Sequence, residues 1–455
     1  MKKLVPLLLA LLALCGYAQA EEIVSEEIII TEPRIMQQRG GVSLFSAEPS
    51  IEEQLYAVIE EGLCAHAASI DVSKFKIPFS GYETETTRIT VDKALDIYST
   101  VVYNHPEYGD LRTGFNYQYS SSTYLIVSLS PMYLEDYDQT EYERIVDYTL
   151  SRVLAPGMID MDKLLAIHDF LADKITYSTP YPVYNEDGTP KLDSNGKQVY
   201  TYADSVYTPY GALVNYDAVC QGYSLAFKLL CDRAGINCGF VVSTIESHMW
   251  NVAELNGNIY HVDVTWDDPT VSGKHFVLHK YFLLSDEENM NNRSKYDGYY
   301  WTSTLGTCDE QELHSSLFVA DRIDPFHWRS GCFWYECTGK LINNNSIGLY
   351  GSSDLFRVDG SLAKSVTADE YLPYKRLDAE LFPAFDRKTA IDGPADSSAD
   401  LYSAVYDDNG TLTGVEKADV TFDSYGRAVV ETGDYSKLML LSDNGLVPLA
   451  YPLYN

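Results

Sequence analysis

The sequence predicts an α+β protein of several domains. Three observations carry that expectation: the length of the chain, helical and alternating apolar periodicities that occupy separate stretches, and a helix followed by a β-hairpin near its middle. At 455 residues the chain is longer than the roughly 250 to 300 residues at which a single hydrophobic core stops growing. A composition of 45% hydrophobic and 22% charged residues suits a folded chain, not a fibrous or wholly disordered one.

The first element is a secretory signal over residues 1–20. Lys2 and Lys3 precede an apolar run from Leu4 to Leu14, and Ala18-Gln19-Ala20 offers a small-residue cleavage site. The run is too short to span a bilayer, and no later stretch reaches the ~20 apolar residues that a spanning helix needs. The expectation is an exported protein without a membrane span, secreted or extracellular. Leu12-Ala13-Leu14-Cys15 faintly resembles a lipoprotein box, although Leu14 stands where a small residue is expected, so anchoring at Cys15 is the weaker reading.

Residues 21–49 read as a linker or tethered lead-in strand, and residues 50–155 as an α/β N-terminal region. Within it Ile51, Leu55, Val58, Ile59 and Leu63 fall on one helical face, while Tyr98–Asp110 and Tyr124–Leu129 read as short β-rich runs. In the core region, 156–300, Met161–Ile175 forms an amphipathic helix whose apolar face includes His168, read as a packed residue and not a catalyst. Pro180, Pro182, Gly188, Pro190 and Gly196 mark an extended excursion over 178–206. Residues 301–395 read as β-rich, and 396–455 as a small β-sandwich module with hairpin turns at Asp408-Asn409-Gly410 and Asp443-Asn444-Gly445.

Charge narrows the function. Thirty-three Lys and Arg against 66 Asp and Glu give a net charge of -33, which repels nucleic acid and anionic lipid and suits solubility outside the cell. The 37 tyrosines supply rings for packing and for lining carbohydrate or peptide grooves. Of eight cysteines, those other than Cys15 are Cys64, Cys220, Cys231, Cys238, Cys308, Cys332 and Cys337. Their number is odd, so at least one stays unpaired within the chain, and the pairing of the others is open.

The chemistry sits in the middle. Ala218-Val219-Cys220-Gln221-Gly222-Tyr223 opens a helix carrying Leu225, Ala226, Leu229, Leu230 and Ala234, closed by Gly235. Cys220 therefore lies in the first turn, where the positive end of the helix dipole favours a thiolate nucleophile. Cys231 and Cys238 lie near the other end, as small buried hydrophobes or disulfide partners. After a strand over Gly239–Thr244, His248–Leu255, Asn256-Gly257 and Asn258–Trp266 predict a hairpin in which Leu255 faces Asn258 and His248 faces Thr265. That register places His248 and Asp263 on one face, within diagonal reach. A carboxylate on one imidazole nitrogen orients the ring and leaves the other nitrogen for a thiol proton. His261 shares the face as a rival base, but it stands beside Asp263 on the same strand.

Val219-Cys220-Gln221-Gly222-Tyr223, His248-Met249-Trp250-Asn251 and Val262-Asp263-Val264-Thr265-Trp266-Asp267-Asp268-Pro269 together resemble the three signatures of the transglutaminase-like superfamily. The resemblance extends to Ala166-Ile167-His168-Asp169, Tyr210-Gly211-Ala212-Leu213 and Tyr281–Asp286. It implies a papain-like α+β core, with Cys220 forming a thioester, His248 moving the proton and Asp263 orienting His248. It implies no cofactor, and no acidic loop supports the calcium dependence of the animal branch. One departure is Tyr216, at a position that is often glycine in similar bacterial sequences. An oxyanion donor beyond the Cys220 N–H is not assigned by the sequence.

The leading expectation is an exported cysteine enzyme acting on protein or peptide amides, by hydrolysis as a protease or deamidase or by transfer to an amine. The alternative is a non-catalytic extracellular binding protein for cell-wall or host glycans or peptides. A metal site drawn from Cys220, Cys231, Cys238, His248 and His261 stands third.

Overall fold

The computed structural model describes residues 23–29, 33–36, 49–79, 89–271, 274–275, 277–293, 301–309, 378–442 and 447–454, and the backbone of six short strands between 327 and 365. The expected signal segment, Cys15, Cys337 and the Asp443-Asn444-Gly445 turn lie outside the described residues. No helix among the described residues is long and apolar enough to cross a membrane. The chain divides into two compact units, Met1–Glu135 and Asp136–Asn455.

In the first unit, β1 (Ile23–Ile29) is a full strand, whereas the sequence left 21–49 as linker or lead-in. α1 (Ile51–Cys64) starts at Ser50, whose hydroxyl accepts from Glu53 N at 3.1 Å while Glu53 Oε2 accepts from Ser50 N at 2.6 Å. Its face buries Leu55, Ile59 and Leu63. β2 (Ile70–Asp71), α2 (Val91–Asn104), β3 (Leu111–Ser120) and β4 (Ile126–Tyr133) follow, and the sheet runs β1-β3-β4-β2, antiparallel throughout. The expected β-rich run at Tyr98–Asp110 is corrected here: Tyr98–Asn104 is helical. Thr90 Oγ1 caps Lys93 N at 3.2 Å, and Ala94, Ile97, Tyr98 and Val101 bury at helical spacing, so core packing overrides the β preference of the Val and Tyr residues.

The second unit opens with α3 (Gln139–Val153) and α4 (Asp160–Lys174). α3, which the sequence placed before a boundary at 155, gives Tyr142, Ile145, Val146 and Leu150 to the same core as Leu164, Ile167 and Leu171 of α4. β5 (Thr176–Tyr177) then leads into the excursion, where β6 (Tyr181–Pro182) pairs with β7 (Tyr200–Thr201). A 3-10 turn over Asp204–Tyr207 and a π-turn over Gly211–Asn215 bring the chain to β8 (Asp217–Ala218), which pairs in parallel with β5.

α5 (Cys220–Arg233) follows at once and packs across β9 (Cys238–Ser243) and β10 (His248–Leu255). β11 (Asn258–Val262), the small hairpin of β12 (Thr270–Val271) with β13 (Lys274–His275), β14 (Phe282–Leu284), α6 (Asp286–Arg293) and β15 (Thr302–Ser303) complete this part. The site sheet runs β14-β11-β10-β9-β15, every pairing antiparallel. Six strands, β16 (His327–Arg329), β17 (Cys332–Glu336), β18 (Gly339–Asn343), β19 (Ser346–Leu349), β20 (Asp354–Arg357) and β21 (Leu362–Ser365), occupy the expected β-rich stretch.

The C-terminal module has two sheets, one of β22 (Glu380–Leu381), β23 (Lys388–Asp392) and β26 (Arg427–Glu431), the other of β25 (Leu412–Thr421), β24 (Ser398–Tyr406), β27 (Lys437–Ser442) and β28 (Leu453–Tyr454). Ile391 and Ala428 from one meet Leu401, Val420, Leu438 and Leu440 from the other in a shared core. The Asp408-Asn409-Gly410 turn joins β24 to β25 with Gly410 at φ 75°. Arg144 of α3 holds this module by hydrogen-bonding Asp423 Oδ2 at 2.6 Å.

Candidate active site

Cys220 is the first residue of α5, and no acidic residue shares its turn. The helix start is seated tightly: a Cβ on Gly222 would lie 2.5 Å from Val206 O and 3.2 Å from Thr208 O, so only glycine lets the preceding 3-10 turn approach. At its other end Gly235, at φ 80°, closes the helix as expected. Ser224 Oγ donates to the Cys220 and Met249 carbonyls at 2.9 and 3.1 Å, and Asn251 Nδ2 donates to Ser224 O at 3.0 Å. These bonds lock the cysteine helix onto β10.

The hairpin has the predicted pairing from Leu255↔Asn258 to Asn251↔Val262, turning at Asn256 and Gly257, both left-handed. The ladder then stops, and His248 pairs with Ser243 of β9 instead of Thr265. The physical reason is a turn over Val264–Asp267, in which Asp267 N donates to Asp263 O at 3.2 Å and Trp266 N to Asp263 Oδ1 at 3.1 Å. Asp263 still reaches its target, its Oδ2 lying 2.8 Å from His248 Nε2. Cys220 is near enough to raise the His248 pKa, and with Nε2 committed to Asp263 the nitrogen left for the thiol is Nδ1.

All three groups are buried. Burial pulls the His248 imidazole down, but the charge and hydrogen bond of Asp263, followed by those of Cys220, push it up to about 10. For Asp263, burial pushes up, and His248 and Arg293 together overcome it and hold the carboxyl at about 2.

Arg293, at the end of α6, was not singled out from the sequence. It donates to Asp263 Oδ2 through Nη2 and to Glu246 Oε2 at 3.2 Å through Nη1. Its guanidinium lies 4.1 Å from the Trp250 ring centroid and 4.0 Å from that of Trp266. The same two indoles stack on His248, at 5.6 and 5.3 Å between centroids. A lone arginine closing the acid-rich segment Asp286–Arg293 was the only sequence signal for it.

His261 is not at the thiol. Its Nδ1 accepts from Trp250 Nε1 at 3.0 Å and its Nε2 meets Asp286 Oδ1 at 2.7 Å, with burial holding its pKa below the ordinary value. His168 is fully buried, as its packed reading expected, and it anchors a polar network: Nδ1 lies 2.8 Å from Asp169 Oδ1 and Nε2 3.2 Å from Asp267 Oδ2, while His279 Nε2 meets Asp169 Oδ1 at 2.7 Å. Burial lowers the His168 pKa, but the two carboxylates outweigh it and raise it to about 9.

The set Cys220, Cys231, Cys238, His248 and His261 does not converge. Cys231 lies eleven residues along α5 from Cys220, about 16 Å at the rise of an α-helix, and its neighbour is Cys238. The groups with ligand atoms close together, among the described residues, are His168–Asp169–His279 and His261–Asp286–Cys308. In both, the imidazole nitrogens that would bind a cation are already engaged by carboxylates or Trp250. Cys64, Cys220, Cys231, Cys238 and Cys308 are all free thiols.

Tyr216 adopts the left-handed conformation, φ 53°, that makes glycine favourable at its position. Its ring packs 5.1 Å from the Arg427 guanidinium and edge-on to Tyr425.

Compared with known proteins, the chain matches no family model and no curated protein.

Proposed function

We propose that this protein is an exported transglutaminase-like cysteine enzyme with a papain-like core, acting on protein or peptide amides. The observation that carries the reading is His248 held by Asp263 at 2.8 Å through Nε2, with Nδ1 left for the nearby Cys220, which opens a helix. His248, with its raised pKa, holds the thiol proton as an imidazolium, and the helix end and that cation stabilise the thiolate. The thiolate attacks the amide carbonyl, and His248 delivers its proton to the departing nitrogen. Water or an amine then releases the acyl group from the Cys220 thioester.

The test is incubation of wild type and Cys220→Ala with a glutamine-containing peptide library, with and without a primary amine. Mass spectrometry separates cleavage, ammonia loss and amine incorporation. Product formed equally by Cys220→Ala overturns the reading.

A second reading has one observation in its favour. The excursion between β5 and β8 exposes Tyr181, Tyr184, Leu192 and Tyr200, each more than half accessible, a surface suited to glycan or peptide stacking. A binding protein of that kind retains its ligand in Cys220→Ala and loses it when those tyrosines become serine.

A further inference from the structure

Cys220 is delivered to its helix by a short run of chain with uncommon backbone geometry. The π-turn over Gly211–Asn215 ends at Tyr216, whose N–H donates to Gly211 O and whose backbone is left-handed at φ 53°. Turns of this kind are rare and gather at functional sites. β8 and then Cys220 follow at once, so a rotation of the turn passes straight to the thiol. Along this run Thr176 N donates to Tyr216 O at 2.8 Å, Ser178 N to Ala218 O at 2.9 Å and Val219 N to Val206 O at 3.0 Å. The last of these bonds takes away the N–H that would continue the π pattern onto Val214 O.

Two carbonyls near the end of that turn, Leu213 O and Val214 O, accept from Arg427 Nη1 at 3.1 and 3.3 Å. The last carbonyls of a helical turn lack partners within it and carry partial negative charge, so a guanidinium there supplies both hydrogen bonds and charge. Arg427 opens β26 in the C-terminal module, and its side chain is buried. Its own position is fixed: Nε donates to Asp423 Oδ2 at 2.8 Å, its backbone N–H to Asp423 Oδ1 at 2.9 Å, and its carbonyl accepts from Arg144 Nη1 at 3.3 Å. The guanidinium also lies 5.1 Å from the Tyr216 ring centroid and 4.6 Å from that of Tyr425. One side chain thus grips the turn and the left-handed residue after it, and it comes from outside residues 156–300.

We infer that Arg427 is a positioning residue of the Cys220 site, and that through it the C-terminal module is a working part of that site. This rests on the acyl-transfer reading above. Without the guanidinium, the carbonyls of buried Leu213 and Val214 lose a donor, the Tyr216 ring loses its cation, and the left-handed backbone at Tyr216 relaxes. Relaxation there turns β8 and moves the Cys220 thiol relative to His248, which is held separately on β10 by its pairing with β9 and its bond to Asp263. A displacement on the order of 1 Å is enough to cost about 10²-fold in a reacting pair. Lysine is a poor substitute, because a point donor cannot fork between the turn and Asp423 while lying against two rings.

The experiment follows alkylation of Cys220 by iodoacetamide in the full-length protein from acid to alkaline pH, with peptide mapping, and checks folding by circular dichroism. In wild type the activated thiol is expected to react at full rate well below the ~8.5 of an ordinary cysteine. In Arg427→Met the rate at about pH 6 is expected to fall by about 10- to 100-fold, with the profile moving toward ~8.5. Lys388→Met removes a different contact of the module, its ion pair with Asp147 of α3, and is expected to leave the profile unchanged. Should Arg427→Met fail to fold, Arg427→Lys takes its place, with a fall of at least about threefold expected. A folded Arg427 variant that keeps the wild-type profile overturns the inference, since the guanidinium then only fastens the module. A shift in Lys388→Met as large as that in the Arg427 variant also overturns it, because docking in general and not the grip on the turn then sets the thiol. A wild-type Cys220 that itself titrates near ~8.5 sinks the acyl-transfer reading, and the positioning role with it.

Discussion

Arg293 donates to the same Asp263 oxygen that holds His248, so a single carboxylate Oδ2 serves both an imidazole and a buried guanidinium. This sharing explains how Asp263 remains ionised in an apolar setting. It also makes the carboxylate the point where the proposed catalysis and the stability of the fold meet.

Replacing Arg293 by Met leaves Glu246 without its buried cation and Asp263 with His248 alone. Such a break typically costs about 3 to 5 kcal/mol, and urea denaturation of Arg293→Met is expected to show a loss of that order. Adding Glu246→Gln to that variant should recover part of it, because the orphaned charge is gone. A loss below about 1 kcal/mol would mean that water reaches the pair.

The thiols should separate by reactivity. Iodoacetamide near neutral pH is expected to modify Cys220 first, at least tenfold more slowly in His248→Ala, while Cys231 and Cys238 stay protected until the protein unfolds. Peptide mapping by mass spectrometry reads all three together. Equal and slow labelling of Cys220 and Cys231 contradicts the activated-thiol assignment.

Stability should depend on pH in two windows. The folded pKa of His168, raised to about 9, lies above the ~6.5 of an unfolded histidine, so its contribution is full below about pH 6.5 and lost as pH rises toward 9. Asp169 and Asp263, both held at about 2, contribute above about pH 4 and lose that contribution as pH falls toward 2. Unfolding free energy should therefore be highest between about pH 4 and 6.5. In His168→Gln the decline above pH 6.5 is expected to flatten, by an amount on the order of 3 kcal/mol at pH 9. An alkaline limb unchanged in that variant refutes the assignment.

Gly222→Ala tests the seat of the cysteine helix. The added methyl meets backbone oxygens that cannot rotate away, so a cost of about 1 to 3 kcal/mol is expected, together with slower alkylation of Cys220 as the helix start shifts. Unchanged melting temperature and labelling rate would show that the preceding turn gives way freely.

What could be read in advance was whatever is local. The helix start at Cys220, its end at Gly235 and the Asn256-Gly257 register follow from caps and turn residues a few positions apart. The end of the hairpin did not, because Asp263 leaves its strand through a turn whose bonds involve its own side chain and Trp266. Arg293 was invisible for a related reason: its partners Glu246, Trp250, Asp263 and Trp266 are remote in sequence, and no period links them. Tyr216 stood out as a missing glycine, and the left-handed backbone accounts for that. The compensating contact with Arg427 lies about two hundred residues away, beyond any local pattern. Tyr98–Asn104 misled because aromatic and β-branched residues favour strands until a buried helix face claims them.

The parallel pairing of Tyr177 with Ala218 has a consequence for how this site can diversify. It brings the two ends of the 178–217 excursion to one strand spacing, about 4.8 Å, so the excursion behaves as an insertion hung from a closed seam. Lengthening such a loop costs little, about 0.6 kcal/mol per doubling. Its length can thus change at little cost, while the seam holds the start of the Cys220 helix in place.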